Sequence, residues 1–528
     1  MGSAGRAAGV TSAVARYLRG CVRVDTRSLA AFRIAVSLLV LADLGLRARR
    51  LTYFYTDAGV VPRSLAAEPL PLETLSVYAL SGSPRVTAAL FGFHALVALA
   101  LLVGYRTRVA TMLTFVFVVS LDLRNVLVLS YADTLFAWLL FWSIFLPLGE
   151  RWSIDALHAD QLPRAAVSSV GSTLLLGQMI TMYVVNGYHK TAAESWHTGE
   201  AAVIVLGLDH ITFLFGDLLR VVPALLEMGG RLWFYMLLSA WLLVFARGRP
   251  RTLLVVLFMS VHLSFGLTVR IGAFAFVAIA GVILFLQASF WDDAARLTHK
   301  LQNAWPTGRV LRIDDLRARV VGFATAIPYT TVGTSSGPRT LVQSRRRLIG
   351  FAISLFIVFA LVSAFSAGGL AGTDGPLETT ERAVTGFVDH QTEWSIFAPE
   401  PRETDRYYVF AAKTANGAHL DVYNDRKLRY DRPDGELQHQ FDTYRERFYM
   451  SSVDGDDPSG TAERLATHYC TEWEDDGDRL THINFYRIDE EVTRETIDSP
   501  ADRNQSSVLL YEHGCGAADP LEIDPPAF

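Results

Sequence analysis

Residues Gly171–Lys190 read GSTLLLGQMITMYVVNGYHK, an apolar run of near-spanning length that closes on a lysine. A helix that crosses a bilayer needs roughly 20 mostly apolar residues. An ammonium at that depth costs about 3 kcal/mol even on mild scales, so such a group usually faces a protein-lined cavity. A membrane enzyme or a transporter is therefore the frame, and Lys190 is its first candidate residue. Paired broken helices and internal repeats, which mark transporters, are not evident in the sequence.

Eight further apolar runs surround this one: Leu29–Leu46, Val86–Val103, Val109–Val128, Thr134–Leu148, Leu232–Ala246, Thr252–Val269, Gly272–Phe290 and Leu348–Phe365. The expected fold is an all-α polytopic membrane bundle of about nine transmembrane helices, followed by a small extracytoplasmic α+β domain. Leu206–Leu219 is apolar but broken by Asp209, His210 and Asp217, and reads as interfacial or re-entrant. With 51% hydrophobic and 19% charged residues, the chain is too apolar for an ordinary soluble protein and too charged to be membrane throughout. Residues 371–528 hold 34 Asp and Glu against 15 Lys and Arg, a formal −19; residues 1–370 hold 19 against 33, or +14. That segregation predicts a cytoplasmic segment at 1–28, a membrane domain at 29–370 with a basic loop at about 291–347, and an acidic domain at 371–528. Acidity of this strength also suits a protein of a high-salt organism, in the manner of haloarchaeal acidic domains.

Basic residues cluster before the first run, at Arg106 and Arg108, at Arg247, Arg249 and Arg251, and in the 291–347 loop. Nine crossings place all four groups on one side, which the positive-inside rule makes cytoplasmic. The N-terminus is then inside and the C-terminal domain extracellular. Arg47, Arg49 and Arg50 run against this pattern, while Arg33, Asp43, Asp122, Arg124 and Asp133 are expected to pair between helices or to face an aqueous vestibule. Asp155, after Ser153, reads as a helix start.

In the tail, Asn416-Gly417 separates two alternating runs, a strong hairpin signal. Ile483–Ile488 and Val508–Tyr511 read as strands and Gly435–Tyr449 as a helix. Cys470 and Cys515 both fall in the outer domain, where an oxidising setting favours a disulfide, with two free thiols as the alternative. Cysteine and histidine spacing offers no zinc or iron–sulfur site, and no nucleic-acid partner is expected.

Several ordered strings resemble the HTTM (horizontally transferred transmembrane) domain, which is related to the vitamin K-dependent γ-glutamyl carboxylase. They are Arg33 to Asp43 with Phe54-Tyr55-Thr56-Asp57-Ala58-Gly59, then Arg151-Trp152-Ser153-Ile154-Asp155, then Tyr188-His189-Lys190 with Trp196 and Gly199, then His262 through Ile271-Gly272-Ala273-Phe274, and Trp394-Ser395-Ile396-Phe397-Ala398-Pro399. The resemblance implies an enzyme that oxidises a reduced quinone, menaquinol or vitamin K-like, with oxygen at a buried lysine matching Lys190. The resulting base takes a proton from, or drives carboxylation of, an acceptor. An apolar pocket favours the neutral amine of a lysine, which can act as a base. Tyr188, Trp196 and His262 are the residues it implies near the quinone; His189 and His197, by their position beside Lys190, read as proton carriers or as solvated interfacial histidines. Ala132 stands where the carboxylases have a histidine, so peptide carboxylation is not carried over. The alternatives are a transporter, or a non-catalytic membrane anchor that meets lipids and a protein partner through the outer domain.

Overall fold

The computed structural model describes residues 16–66, 76–304, 322, 325, 394–454, 460–475 and 477–527. The main helices of the N-terminal part are α1 (Thr26–Ala48), α2 (Pro84–Val103), α3 (Thr107–Arg124), α4 (Tyr131–Ser143), α5 (Val170–Lys190), α6 (Pro223–Leu238), α7 (Arg249–Thr268) and α8 (Phe274–Ile283). Local chemistry sets their ends. Asp25 caps α1 by accepting from Arg27 N, and Pro84 opens α2, where a missing N–H costs nothing. Gly104 closes α2 at φ 69°, a conformation that suits glycine. Ser130 and Asp133 form a capping box on α4, as Ser169 and Ser172 do on α5.

Asp155 does more than start a helix. Its carboxylate accepts from Arg106 N and Thr107 N, both at 2.8 Å, and so satisfies the first free donors of α3.

Three helices, α1, α2 and α7, are long and apolar enough to cross a membrane among the described residues. The number is four if Phe274–Ile283 and Ala288–Lys300, bent by 97°, are taken as one span. The expectation of nine spans is corrected accordingly. Apolar runs do not reveal helix breaks or the charges at helix ends. Helix α3 carries Arg108, Asp122 and Arg124; α4 has only 13 residues; α6 stops at Leu238 before a separate turn at Leu242–Phe245. Ser172, Thr173, Gln178 and Asn186 dilute α5. The run at Leu348–Phe365 and most of the 291–347 loop lie outside the described residues.

The C-terminal part is a five-stranded antiparallel sheet with two helices, α9 (Tyr444–Val453) and α10 (Thr461–Glu472). Its strands are β1 (Thr404–Thr414), β2 (His419–Asp421), β3 (Arg426–Lys427), β4 (Leu480–Glu491) and β5 (Gln505–Gly514), in the order β3-β2-β1-β4-β5. The Asn416-Gly417 hairpin forms, with Ala411 opposite Asp421 and Lys413 opposite His419, and Gly417 at φ 87°. The helix expected at Gly435–Tyr449 is instead a short turn at Leu437–Gln440 followed by α9, because the Thr443 hydroxyl caps a fresh start by accepting from Glu446 N. Cys470 and Cys515 are joined in a disulfide, with Cα atoms 5.6 Å apart.

Two buried polar networks tie the halves together. At the end of α1, Arg47 bonds Asp43 (2.7 Å), Asp122 (2.6 Å) and Asp133 (3.2 Å), and Arg445 of α9 bonds Asp43 (2.6 Å) and Asp133 (2.8 Å). Arg49 and Arg50 both pair with Asp442. The three arginines that oppose the positive-inside pattern are thus neutralised by carboxylates. Arg33 bonds the carbonyls of Leu148 and Arg151, and Arg124 bonds that of Val61 and pairs with Asp57 at 3.9 Å.

In the second network, Asp405 of β1 accepts from the backbone N–H groups of Asp209 and His210 and pairs with Arg503 at 3.1 Å. Asp209 in turn meets Arg220, Arg432 and Arg503. The polar break in Leu206–Leu219 is therefore a docking point for the C-terminal sheet. Burial works against the Asp405 carboxylate, yet His210 and Arg432 outweigh it and hold its pKa at about 2. Burial pushes the His210 imidazole below its ordinary value, against the opposing pull of Asp405.

Candidate functional site

Lys190 is 1% exposed at the C-terminal end of α5. Residues 183, 186 and 190 are spaced seven and four apart, so they share one helix face. That face borders a cavity of about 320 Å³ whose lining includes Tyr183, Asn186, Lys190, Trp196, Trp233 and Phe265. Leucines and glycines of α6, among them Leu225 and Gly229, complete an almost wholly apolar wall. Its size falls in the range of small-molecule pockets, roughly 300–1,000 Å³.

A strap from the segment after the undescribed residues closes one side. Lys190 Nζ donates to the carbonyls of Ile396 (2.5 Å) and Phe397 (3.0 Å). Asn186 Nδ2 donates to the carbonyls of Trp394 (2.7 Å) and Ile396 (3.1 Å), and Trp196 Nε1 to that of Phe397 (3.1 Å). Trp394 and Phe397 have φ of 46° and 51°, a left-handed backbone that turns these carbonyls toward α5 at a cost on the order of 1 kcal/mol each. Tyr131 Oη and Ser395 Oγ, 2.8 Å apart, fix the strap from α4.

The indole of Trp196 lies over the amine, its ring centre 3.9 Å from Nζ. Lys190 forms no ion pair with a carboxylate among the described residues. Its surroundings are two neutral oxygens, one ring face and the cavity.

Of the residues expected at the site, Lys190 and Trp196 line the cavity. His262 sits one layer behind. Its Nε2 lies 2.7 Å from Tyr183 Oη, its Nδ1 has no partner among the described residues, and the rings of Trp233 and Phe265 surround it. Tyr188 is not at the site: it is 45% exposed and absent from the lining, because two residues before Lys190 is the far side of the helix. His189 and His197 do not line the cavity either; His197 packs on Phe234. Tyr183 and Asn186, identified by their spacing from Lys190, join it on the wall, and Trp394, Ile396 and Phe397 of the Trp394–Pro399 string supply the strap.

Comparison with curated proteins and with solved structures gives no match. A family model described as the HTTM domain matches residues 22–291. The match takes in α1 to α8 and the lysine-bearing cavity wall, covers more than half of the 528 residues, and is consistent with a relation to the carboxylases; the chain belongs to the HTTM domain family.

Proposed function

We propose that the chain is a membrane enzyme that binds a quinol of the menaquinol or vitamin K type in the Lys190 cavity, with Lys190 as the base for its hydroxyl. The observation that carries this reading is a single amine in an otherwise apolar cavity large enough for a ring system. A bound quinol would supply the reducing equivalents for reaction with oxygen. A neutral amine has two N–H groups and one lone pair. The Ile396 and Phe397 carbonyls accept both N–H groups, which leaves the lone pair for an incoming proton. The ammonium formed on protonation is stabilised by the face of Trp196, whose ring centre is 3.9 Å from Nζ. The site is thus furnished for both states of a base.

The base so formed would abstract a proton from, or drive carboxylation of, an acceptor presented at the C-terminal unit, which this reading places outside the cell with the N-terminus inside. Ala132, where the carboxylases have histidine, weighs toward abstraction. A second reading rests on the same contacts: Lys190, Asn186 and Trp196 all grip the 394–397 strap, as a non-catalytic clasp would.

Oxygen consumption with reduced menaquinone, for wild type and two variants, tests the first reading. Lys190→Met is expected to fold, because Asn186 still serves the Ile396 carbonyl and Trp196 that of Phe397, and to lose activity by about 10²-fold or more. Lys190→Arg is expected to fail equally, since a guanidinium stays protonated. An active wild type with either variant unimpaired removes Lys190 as the base. A wild type that neither retains nor oxidises quinol leaves the clasp.

A further inference from the structure

A second cavity, of about 500 Å³, lies between the residues that follow α1 and the C-terminal unit. It differs from the Lys190 cavity in every respect that matters for binding. Its walls carry four aromatic side chains, Tyr53, Tyr423, Tyr469 and Trp473, and the carboxylates of Glu446 and Glu472. Arg50 also borders it, its guanidinium paired with Asp442 at 2.8 Å and lying 5.6 Å from the Tyr53 ring centre, and His439 and His468 belong to the lining. Glu446 and Glu472 form no ion pair among the described residues.

Glu446 Oε2 accepts one backbone N–H, that of Asp442, at 2.9 Å. Burial raises its carboxyl above the usual range, and Arg50 only partly offsets this. Tyr423 Oη is buried beside that carboxylate without a hydrogen bond of good geometry. Glu446 is half-buried and Glu472 exposed, and carboxylates beside ring faces attract cations.

We propose that this cavity binds an organic ammonium ion, with Glu446 and Glu472 as its counter-charges and the aromatic side chains as its cage. An ammonium with alkyl substituents meets both kinds of lining group at once, the carboxylates through its charge and the ring faces through its substituents. Two sources share this chemistry, a phospholipid headgroup and a free amine in solution. The site does not depend on the quinol reading.

The test is calorimetric titration of the full chain in phosphatidylglycerol nanodiscs with choline chloride, and in parallel with dimethylbutanol, the neutral carbon isostere of choline. Saturable choline binding at least about tenfold tighter than that of the isostere is expected. Glu446→Gln and Trp473→Leu are each expected to weaken it about tenfold, with thermal unfolding as the control for folding. Repeating the titration in phosphatidylcholine nanodiscs separates the sources: loss of choline binding identifies the lipid headgroup, and unchanged binding a soluble amine. Absence of saturable choline binding in phosphatidylglycerol nanodiscs, or equal affinity for choline and the isostere, overturns the proposal without reference to any variant.

Discussion

Lys190 and the Arg47–Arg445 network are both buried cationic sites at the contact between the helices and the C-terminal unit, and they are built on opposite principles. In the network, two arginines meet Asp43, Asp122 and Asp133, and each charge has an opposite charge within 3.2 Å. At the other site one amine meets carbonyls, a ring face and open space. Arginine is always protonated and forks onto carboxylates, so it suits a permanent join. Lysine changes protonation more readily and is held here by groups that tolerate either state. Direct contact with an opposite charge distinguishes a structural ion cluster from a site that can do chemistry.

The sharpest way to break this comparison is to remove one charge from each site. Arg445→Ala leaves Asp43 sharing Arg47 and Asp133 short of its closer partner, and is expected to destabilise the folded chain by about 3–5 kcal/mol. Lys190→Met strands no carboxylate and is expected to cost less than about 1 kcal/mol. Thermal unfolding of both variants in the same detergent decides it. Equal losses would mean that Lys190 is as structural as Arg445.

Acid is a gentler probe of the matched kind of site. Asp405 titrates at about 2 in the fold against 3.8 ordinarily. Its contribution is therefore complete above about pH 4 and is lost as pH falls through 2, about 2 kcal/mol in all. His210, whose pKa burial lowers, adds a decline that begins as pH falls below 6.5, where the unfolded chain takes up protons more readily than the folded chain. Unfolding midpoints should therefore fall on acidification from pH 6.5. Asp405→Asn should flatten the curve below pH 4, and a variant as acid-sensitive as wild type would remove Asp405 as the cause.

How far the sequence exposed these sites follows from what each is made of. Lys190 stood out because a charge after an apolar run is visible in one dimension. Tyr188 did not belong with it, because side chains two apart on a helix diverge, whereas Tyr183 and Asn186 share its face. The carbonyls that hold Nζ have no sequence signature, since they depend on positive φ at Trp394 and Phe397, two residues that seldom adopt it. The aspartates of the network were visible as charges in apolar runs, but their partner Arg445 lies more than 300 residues away, and only the folded chain brings it to them. Strands with clean alternation and a turn signal were legible; spans were overcounted because hydrophobic runs hide breaks such as the one between Leu238 and Leu242.

The smallest effect expected is also the most informative about the amine. Trp196 contributes an N–H to the Phe397 carbonyl and a ring face to Nζ, and only the second depends on Lys190 being charged. Trp196→Phe removes the donor and keeps a ring, for a loss of about 1 kcal/mol. Trp196→Leu removes both. In the Lys190→Met background the ring has no cation to face, so the cost of Trp196→Leu relative to Trp196→Phe, both of which lack the donor to Phe397, should be smaller there than in wild type. The difference, a coupling of about 1 kcal/mol, is the ring's support of the ammonium. Unfolding free energies of Trp196→Phe and Trp196→Leu, each in the wild-type and Lys190→Met backgrounds, measure it. Zero coupling would mean that the indole packs against Lys190 without stabilising its charge, and the site would then be furnished for the neutral amine alone.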